Sequence, residues 1–368
     1  MLKGPKRALA PLPAAKMDDL TGQPAQTRSH MITASPAARI TPDAPAADWR
    51  QLWREAVTDA AELLQLVGLQ HLAAELPPAD AGFQLRVPRG FVARMRHGDP
   101  RDPLLLQVLP QLAELDEVPG FVADAVGDMA AREARGVLHK YHGRALLIAS
   151  GSCAVNCRYC FRRHFPYGEE MAASGQWKQA LEHLRQDPSI SELILSGGDP
   201  LSLATTKLEE LSRGLTELPQ VIRLRIHSRL PVVLPERIDD AFIGWLTHLP
   251  LQKVVVLHAN HANELDASVD AACARLRAAG ATVLNQSVLL RGVNDDADAL
   301  AELSERLFAA GVLPYYLHQL DRVQGTAHFE VDDSRALALQ EALRARLPGY
   351  LVPRLVREVG GDASKRPL

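Results

Sequence analysis

From Asp48 onward the apolar residues fall into two successive textures. In WRQLWREAVTDAAELLQLV, Trp49, Leu52, Trp53, Ala56 and Val57 recur at the three- and four-residue spacing of one helix face. The pattern predicts a helical region over residues 47–135, broken by the short run FQLRVPRGFVARM. After Gly136 the texture changes to short β-rich runs at 144–150, 192–196, 221–228, 253–259, 282–290 and 312–320. Helical segments lie between them, such as WKQALEHLRQ, KLEELSRGLTEL, SVDAACARLRAAG and ADALAELSERLFAAG. Strand then helix, six times over, is the signature of parallel βα units. The predicted fold is α/β, a partial TIM-type (β/α)6 barrel of parallel strands over 136–347 with a helical N-terminal extension. Residues 348–368 are left as a C-terminal segment. Residues 1–46, rich in Ala, Pro, Thr and Ser without an apolar period, are expected to lack packed structure, and Met31 is an alternative start.

Polar residues gather where such a fold puts its chemistry. Cys153 to Cys160 follow the first run, and SGGDP (196–200) follows the second. His227 and Ser228 end the third, Asn260 and His261 follow the fourth, Arg291 the fifth and Asp321 the sixth. In a βα barrel these strand ends share one face, so distant pieces of sequence converge on one cavity.

Composition narrows the ligand. At 368 residues with 47% apolar content the chain can bury a large core. A net charge of -3 with no long basic stripe argues against a general nucleic-acid binder and leaves small molecules. No run is long and apolar enough to suggest a membrane span or a signal peptide. Of four cysteines three are clustered, which suits no disulfide framework and fits a reducing cytoplasm.

The cluster stands in GSCAVNCRYCFRRHFPYGE, residues 151–169. Thiolates suit soft metals, and two readings are open. Zinc held by Cys153, Cys157, Cys160 and His164 would make a stabilised binding or adaptor protein without catalysis. A 4Fe–4S cube held by the three cysteines alone would leave one iron open to another molecule.

The loop CAVNCRYC, with its Cys-x3-Cys-x2-Cys spacing and an aromatic before the third cysteine, resembles that of the radical S-adenosylmethionine superfamily. The Gly-Gly stretch Ser196-Gly197-Gly198-Asp199 after the next strand is similar to its second feature. The resemblance then extends over roughly residues 85–368. LHKYHGRALL, CRYCFRRHFPY, LILSGGDPL, RLRIHSRLP, LNQSVLLRGVND, PYYLHQLDRVQGTAHF and GYLVPRLVREVGG resemble the lysine 2,3-aminomutase family in order and spacing. HKYHGRALL and YCFRRHFPY look like the branch that supplies (R)-β-lysine for modification of elongation factor P.

That resemblance implies cofactors and roles. S-adenosylmethionine would chelate the open iron and be split to a 5′-deoxyadenosyl radical, with Ser196, Gly197, Gly198, Asp199 and Gln286 around it. Pyridoxal phosphate would be held by Lys365, with Lys140, Tyr141 and Arg144 at its phosphate, because an imine gives the migrating nitrogen a π system. For the substrate, L-lysine, Arg162 would grip the carboxylate, and Asp321 with Glu358 the ε-ammonium. A reducing donor of flavodoxin or ferredoxin type is implied, as is a functional link to elongation factor P and its lysyl ligase. Lys140 and Glu358 stand where a relative has arginine and aspartate, and the tail GGDASKRPL is less glycine-rich than the family form. An aminomutase for another amino acid is the second reading, and the acidic pair argues against it.

Taken without the resemblance, the same residues read differently. Lys365, three residues from the end, is a solvated tail group, Arg163 a surface cation and Cys273 a buried helix residue. His227, His258, His261 and His318 read as structural hydrogen-bonders.

Overall fold

The computed structural model describes residues 48–78, 82–175 and 177–368. The expectations for residues 1–46 and for Met31 lie outside them.

The single helix expected after Asp48 is two. Helices Trp49–Arg54 and Ala60–Leu66 are each capped by an aspartate, Asp48 accepting from Arg50 N and Asp59 from Glu62 N. Between them Val57 exchanges backbone hydrogen bonds with Val87 at 2.8 and 2.9 Å. The β-branched pair Val57-Thr58 followed by a capping Asp59 stops one helix and starts the next. The stretch up to Ala131 is therefore short helical turns linked by loops.

Among the described residues ten strands form one sheet in chain order: β1 (Arg132–Ala134), β2 (Val137–Tyr141), β3 (Arg144–Ser150), β4 (Glu192–Gly197), β5 (Arg223–Ser228), β6 (Gln252–His258), β7 (Ala281–Val288), β8 (Leu313–His318), β9 (Arg354–Arg357) and β10 (Arg366–Pro367). The six expected runs are β3 to β8, each parallel to the next. Parallel neighbours need long crossovers, and helices Lys178–Gln186, Thr205–Leu215, Asp240–His248, Ala267–Ala278 and Ala297–Ala309 supply them. Leu147, Leu195, Ile226, Leu257 and Val283 are buried along one continuous core. Each such side chain contributes about 1.5–3 kcal/mol of burial. Cys273 is buried in its helix.

The partial barrel carries more strand than the sequence pattern showed. β9, inside the C-terminal segment, is a seventh parallel strand beside β8, reached through helix Asp333–Arg346. Its four residues RLVR begin and end on arginine, which hides the apolar pair between them. Antiparallel hairpins finish both edges, β1–β2–β3 at one and β9–β10 at the other. The second hairpin folds the last residues back, setting Arg366 opposite Arg357. Among the described residues no helix is long and apolar enough to cross a membrane.

Candidate active site

The C-terminal ends of β3 to β8 open on a cavity of about 900 Å3. Every residue to which the resemblance gives a role lines it: Cys153, Cys157, Cys160, Lys140, Tyr141, Arg144, Arg162, Ser196, Gly197, Gly198, Asp199, Gln286, Asp321, Glu358 and Lys365. His227, His258, Asn260 and His318 line it as well. Arg291 is exposed, and His261 instead caps a short turn, accepting from Asn263 N at 3.1 Å.

The cysteine loop is clamped from both sides. Arg158 donates from Nε to Glu114 Oε1 at 2.8 Å, and Arg163 from Nη2 to Glu114 Oε2 at 2.8 Å and from Nη1 to Gly325 O at 2.8 Å. Arg163 is therefore a buried clamp rather than a surface cation. On the other side β4 abuts the segment entering the loop, with Gly198 N donating to Ser150 O at 2.6 Å. Gly197 has φ +117°, and a Cβ there would stand 2.5 Å from Ser150 O; one on Gly198 would stand 2.7 Å from Ser152 O. The two glycines are what lets these backbones touch. Asp199 serves the same scaffold, its carboxylate accepting from Ser228 Oγ at 2.8 Å, Arg229 N at 2.8 Å and Leu201 N at 2.9 Å.

All three clustered cysteines are free thiols on one wall. Burial and the neighbouring thiols push Cys153 well up and Cys160 up to about 11. Three thiolates here need a cation among them. Among the described residues no group of three or more His, Cys, Asp or Glu side chains is closed around one point as a metal site. Arg229 donates from Nη1 to Cys157 Sγ at 2.7 Å, and from Nη2 to Gln107 Oε1 at 2.7 Å and Glu264 Oε2 at 3.0 Å. His164, the fourth zinc ligand considered, sits 3.2 Å from Gln324 O and does not line the cavity.

The rest of the cavity carries an ionic chain. Asp128 receives Arg162 Nε on Oδ2 at 2.6 Å and Lys140 Nζ on Oδ1 at 2.6 Å. Burial alone would raise its carboxyl, but Arg162 and Lys140 together hold it below the usual range. Arg162 also donates from Nη1 to Ser196 Oγ at 3.0 Å. Lys140 reaches Glu358 Oε1 at 2.9 Å, and Lys365 ion-pairs with Glu358 Oε2. Against its burial, Lys365 and Lys140 hold Glu358 far below the ordinary carboxylate range. Asp321 goes the other way: burial, then the charge of Glu358, push it up to about 7.

Lys140 and Tyr141 stand on β2, and Lys140 is spent on carboxylates. Arg144 stacks 4.7 Å over the Tyr141 ring, and the buried Tyr141 hydroxyl has no hydrogen-bond partner among the described residues. Gln286 Nε2 lies 2.9 Å from His258 Nε2, across the register pair that joins β6 and β7. Burial keeps His227, His258 and His318 neutral, all three well below the ordinary imidazole range. Asp128 is the member that sequence reasoning missed. It lies in AVGDMAARE, a stretch of the extension with no period and no motif.

Residues 142–222 match the model of a 4Fe-4S single cluster domain. Over 342 residues the chain is 48% identical to the L-lysine 2,3-aminomutase of Escherichia coli (strain K12), covering 92% of this chain and 98% of that one. The chain belongs to the L-lysine 2,3-aminomutase family. Its Haemophilus influenzae relative of the same name is 44% identical over 332 residues, 89% of this chain and 98% of that one. The Clostridium subterminale L-lysine 2,3-aminomutase is 32% identical over 329 residues, 89% of this chain and 79% of that one. A solved radical SAM methyltransferase from Sphaerobacter thermophilus has a TM-score of 0.46 at 20% identity, over 60% of this chain and 68% of that one. As a member of the aminomutase family the chain is an enzyme, an isomerase, and the reading as a non-catalytic zinc adaptor falls away.

Proposed function

We propose that this aminomutase converts L-α-lysine to (R)-β-lysine and that its cavity holds a 4Fe–4S cluster, S-adenosylmethionine and pyridoxal phosphate. The observation that carries the reading is that one cavity brings three free thiols together with Lys365, Arg162 and the acidic pair Asp321 and Glu358. The residues suit each group. Cys153, Cys157 and Cys160 are an all-sulfur donor set of three, one short of the four irons of a cube. The Arg144 guanidinium, with no hydrogen bond or ion pair among the described residues, and the orphaned Tyr141 hydroxyl suit a phosphate.

When bound, the cluster and S-adenosylmethionine supply a 5′-deoxyadenosyl radical, and pyridoxal phosphate supplies a π system for the migrating nitrogen. The chain's own residues do the rest. Lys365 would hold the aldehyde of the cofactor. Arg162, steadied by Asp128 and Ser196, presents its remaining N–H groups to the substrate carboxylate. Asp321 and Glu358 select a side chain ending in a cation, which favours lysine over other amino acids. The neutral imidazoles of His227, His258 and His318 add no positive charge to a cavity that must take one.

The branch wording HKYHGRALL and YCFRRHFPY supports (R)-β-lysine as the product, passed to the ligase that modifies elongation factor P, with a flavodoxin- or ferredoxin-type donor as reductant. Free, unpaired cysteines support a cytoplasmic setting. Reconstituted anaerobically, the protein is expected to bind about four irons per chain. With dithionite and both organic cofactors it is expected to turn labelled L-lysine into β-lysine of R configuration on chiral chromatography. A colourless zinc protein, or turnover of another amino acid in preference to lysine, overturns the proposal.

A further inference from the structure

We infer that in the cofactor-free chain the ammonium of Lys365 occupies the acidic pocket that the distal ammonium of the substrate needs, so that a cationic amino acid binds well only when Lys365 is engaged elsewhere. The inference rests on the lysine aminomutase reading above and assigns to Lys365 a role in that reading beyond holding the cofactor.

Geometry supplies the first argument. Glu358 has both carboxylate oxygens committed, Oε1 to Lys140 at 2.9 Å and Oε2 to Lys365. The β9–β10 hairpin fixes this contact, since pairing of Arg366 with Arg357 brings Lys365 alongside Glu358. The lysine read from sequence as a solvated tail group is a ligand of its own chain's acidic site.

Charge supplies the second. The ionic chain sets Lys140, Arg162 and Lys365 against Asp128, Glu358 and Asp321. Asp128 is spent on Lys140 and Arg162. Only Asp321 has no hydrogen bond or ion pair from its carboxylate among the described residues, although it feels both Lys365 and Lys140. A further ammonium arriving with Lys365 in place makes one carboxylate contact and meets a like charge in a partly buried site. With Lys365 drawn away, as when it holds the aldehyde cofactor, the same ammonium gains Glu358 Oε2 as well as Asp321. Lys140 cannot leave in the same way, because Asp128 and Val126 O hold it too.

The pocket therefore couples two events, engagement of Lys365 and admission of the substrate cation. The test is equilibrium dialysis of cofactor-free full chain with L-lysine and with L-norleucine, which lacks the terminal ammonium. K365M removes the charge and keeps the length; K365R keeps the charge, and thermal melting verifies that both are folded. K365M is expected to bind L-lysine at least about tenfold tighter than the unaltered chain, K365R no tighter, and norleucine equally in all three. Adding D321N to K365M is expected to cut the gain. Equal lysine affinity in the unaltered chain and K365M, or an equal gain for norleucine, overturns the inference. Should the pyridoxal phosphate-loaded chain prefer lysine to norleucine while cofactor-free K365M shows no gain, the inference fails and the lysine reading stands. If no form prefers lysine, both fall.

Discussion

Asp128 joins Arg162 to Lys140, its two oxygens each 2.6 Å from one of the cations. A residue of the N-terminal extension thus orients the arginine proposed to grip the substrate carboxylate. Removing one partner of a buried ionic pair costs about 3–5 kcal/mol because the other is left uncompensated. D128N is expected to lower stability by roughly that amount in urea denaturation. It is also expected to raise KM for L-lysine about tenfold through misplacement of Arg162, with a smaller change in kcat. D128E should restore part of the KM; an unchanged KM in D128N shows that Arg162 needs no such support.

Asp321 makes stability depend on pH with a definite sign. Its carboxyl stands at about 7 in the folded chain against an ordinary value of 3.8, so between these values the folded chain keeps a proton that the unfolded chain has lost. Stability therefore falls as pH rises through that window, and the cost is complete above about pH 7. D321N removes the ionisation. The cofactor-free variant is expected to be more stable than the unaltered chain at pH 8, by roughly 1–3 kcal/mol, with the advantage vanishing near pH 4. Urea midpoints at several pH values check this, and a difference independent of pH contradicts it.

Glu114 ties the extension to the cysteine loop through Arg158 and Arg163. E114Q leaves two buried guanidinium groups without their carboxylate and is expected to cost about 3–5 kcal/mol. Iron retained after anaerobic desalting should fall with it. Full iron binding in a destabilised E114Q would show that the clamp stabilises the fold without shaping the loop.

Gly197 is expected to resist even alanine. At φ +117° and 2.5 Å from Ser150 O, an added Cβ must push β4 away from the strand that feeds the cysteines. G197A is expected to lose about 1–3 kcal/mol of stability and to take up less iron than a surface glycine variant such as G90A. Comparable iron uptake by the two variants would sink this expectation.

The alternation of strand and helix over 144–320 was legible because each buried strand is a run of aliphatic residues and each crossover a helix of period 3.6. Of the four described strands that the pattern did not show, two were hidden for one reason. In VLHKY of β2 and RLVR of β9, polar residues that serve the cavity or face water interrupt the apolar run. The broken first helix was missed because its apolar period continues across Val57, which pairs with Val87 from thirty residues away. No local pattern reports such a partner.

The sequence by itself determined that Cys153, Cys157, Cys160 and Asp321 share one face, through the cysteine spacing and the strand ends, and Arg162, Glu358 and Lys365 joined them only through the resemblance. Tertiary structure alone decided whom each charge answers to. Lys140 turned to Asp128 and Glu358, Lys365 to Glu358, and Asp321 was left without a hydrogen bond or ion pair to its carboxylate among the described residues. Covalent order fixes the inventory of charges, but their energies depend on distances and desolvation in a cavity assembled from both ends of the chain.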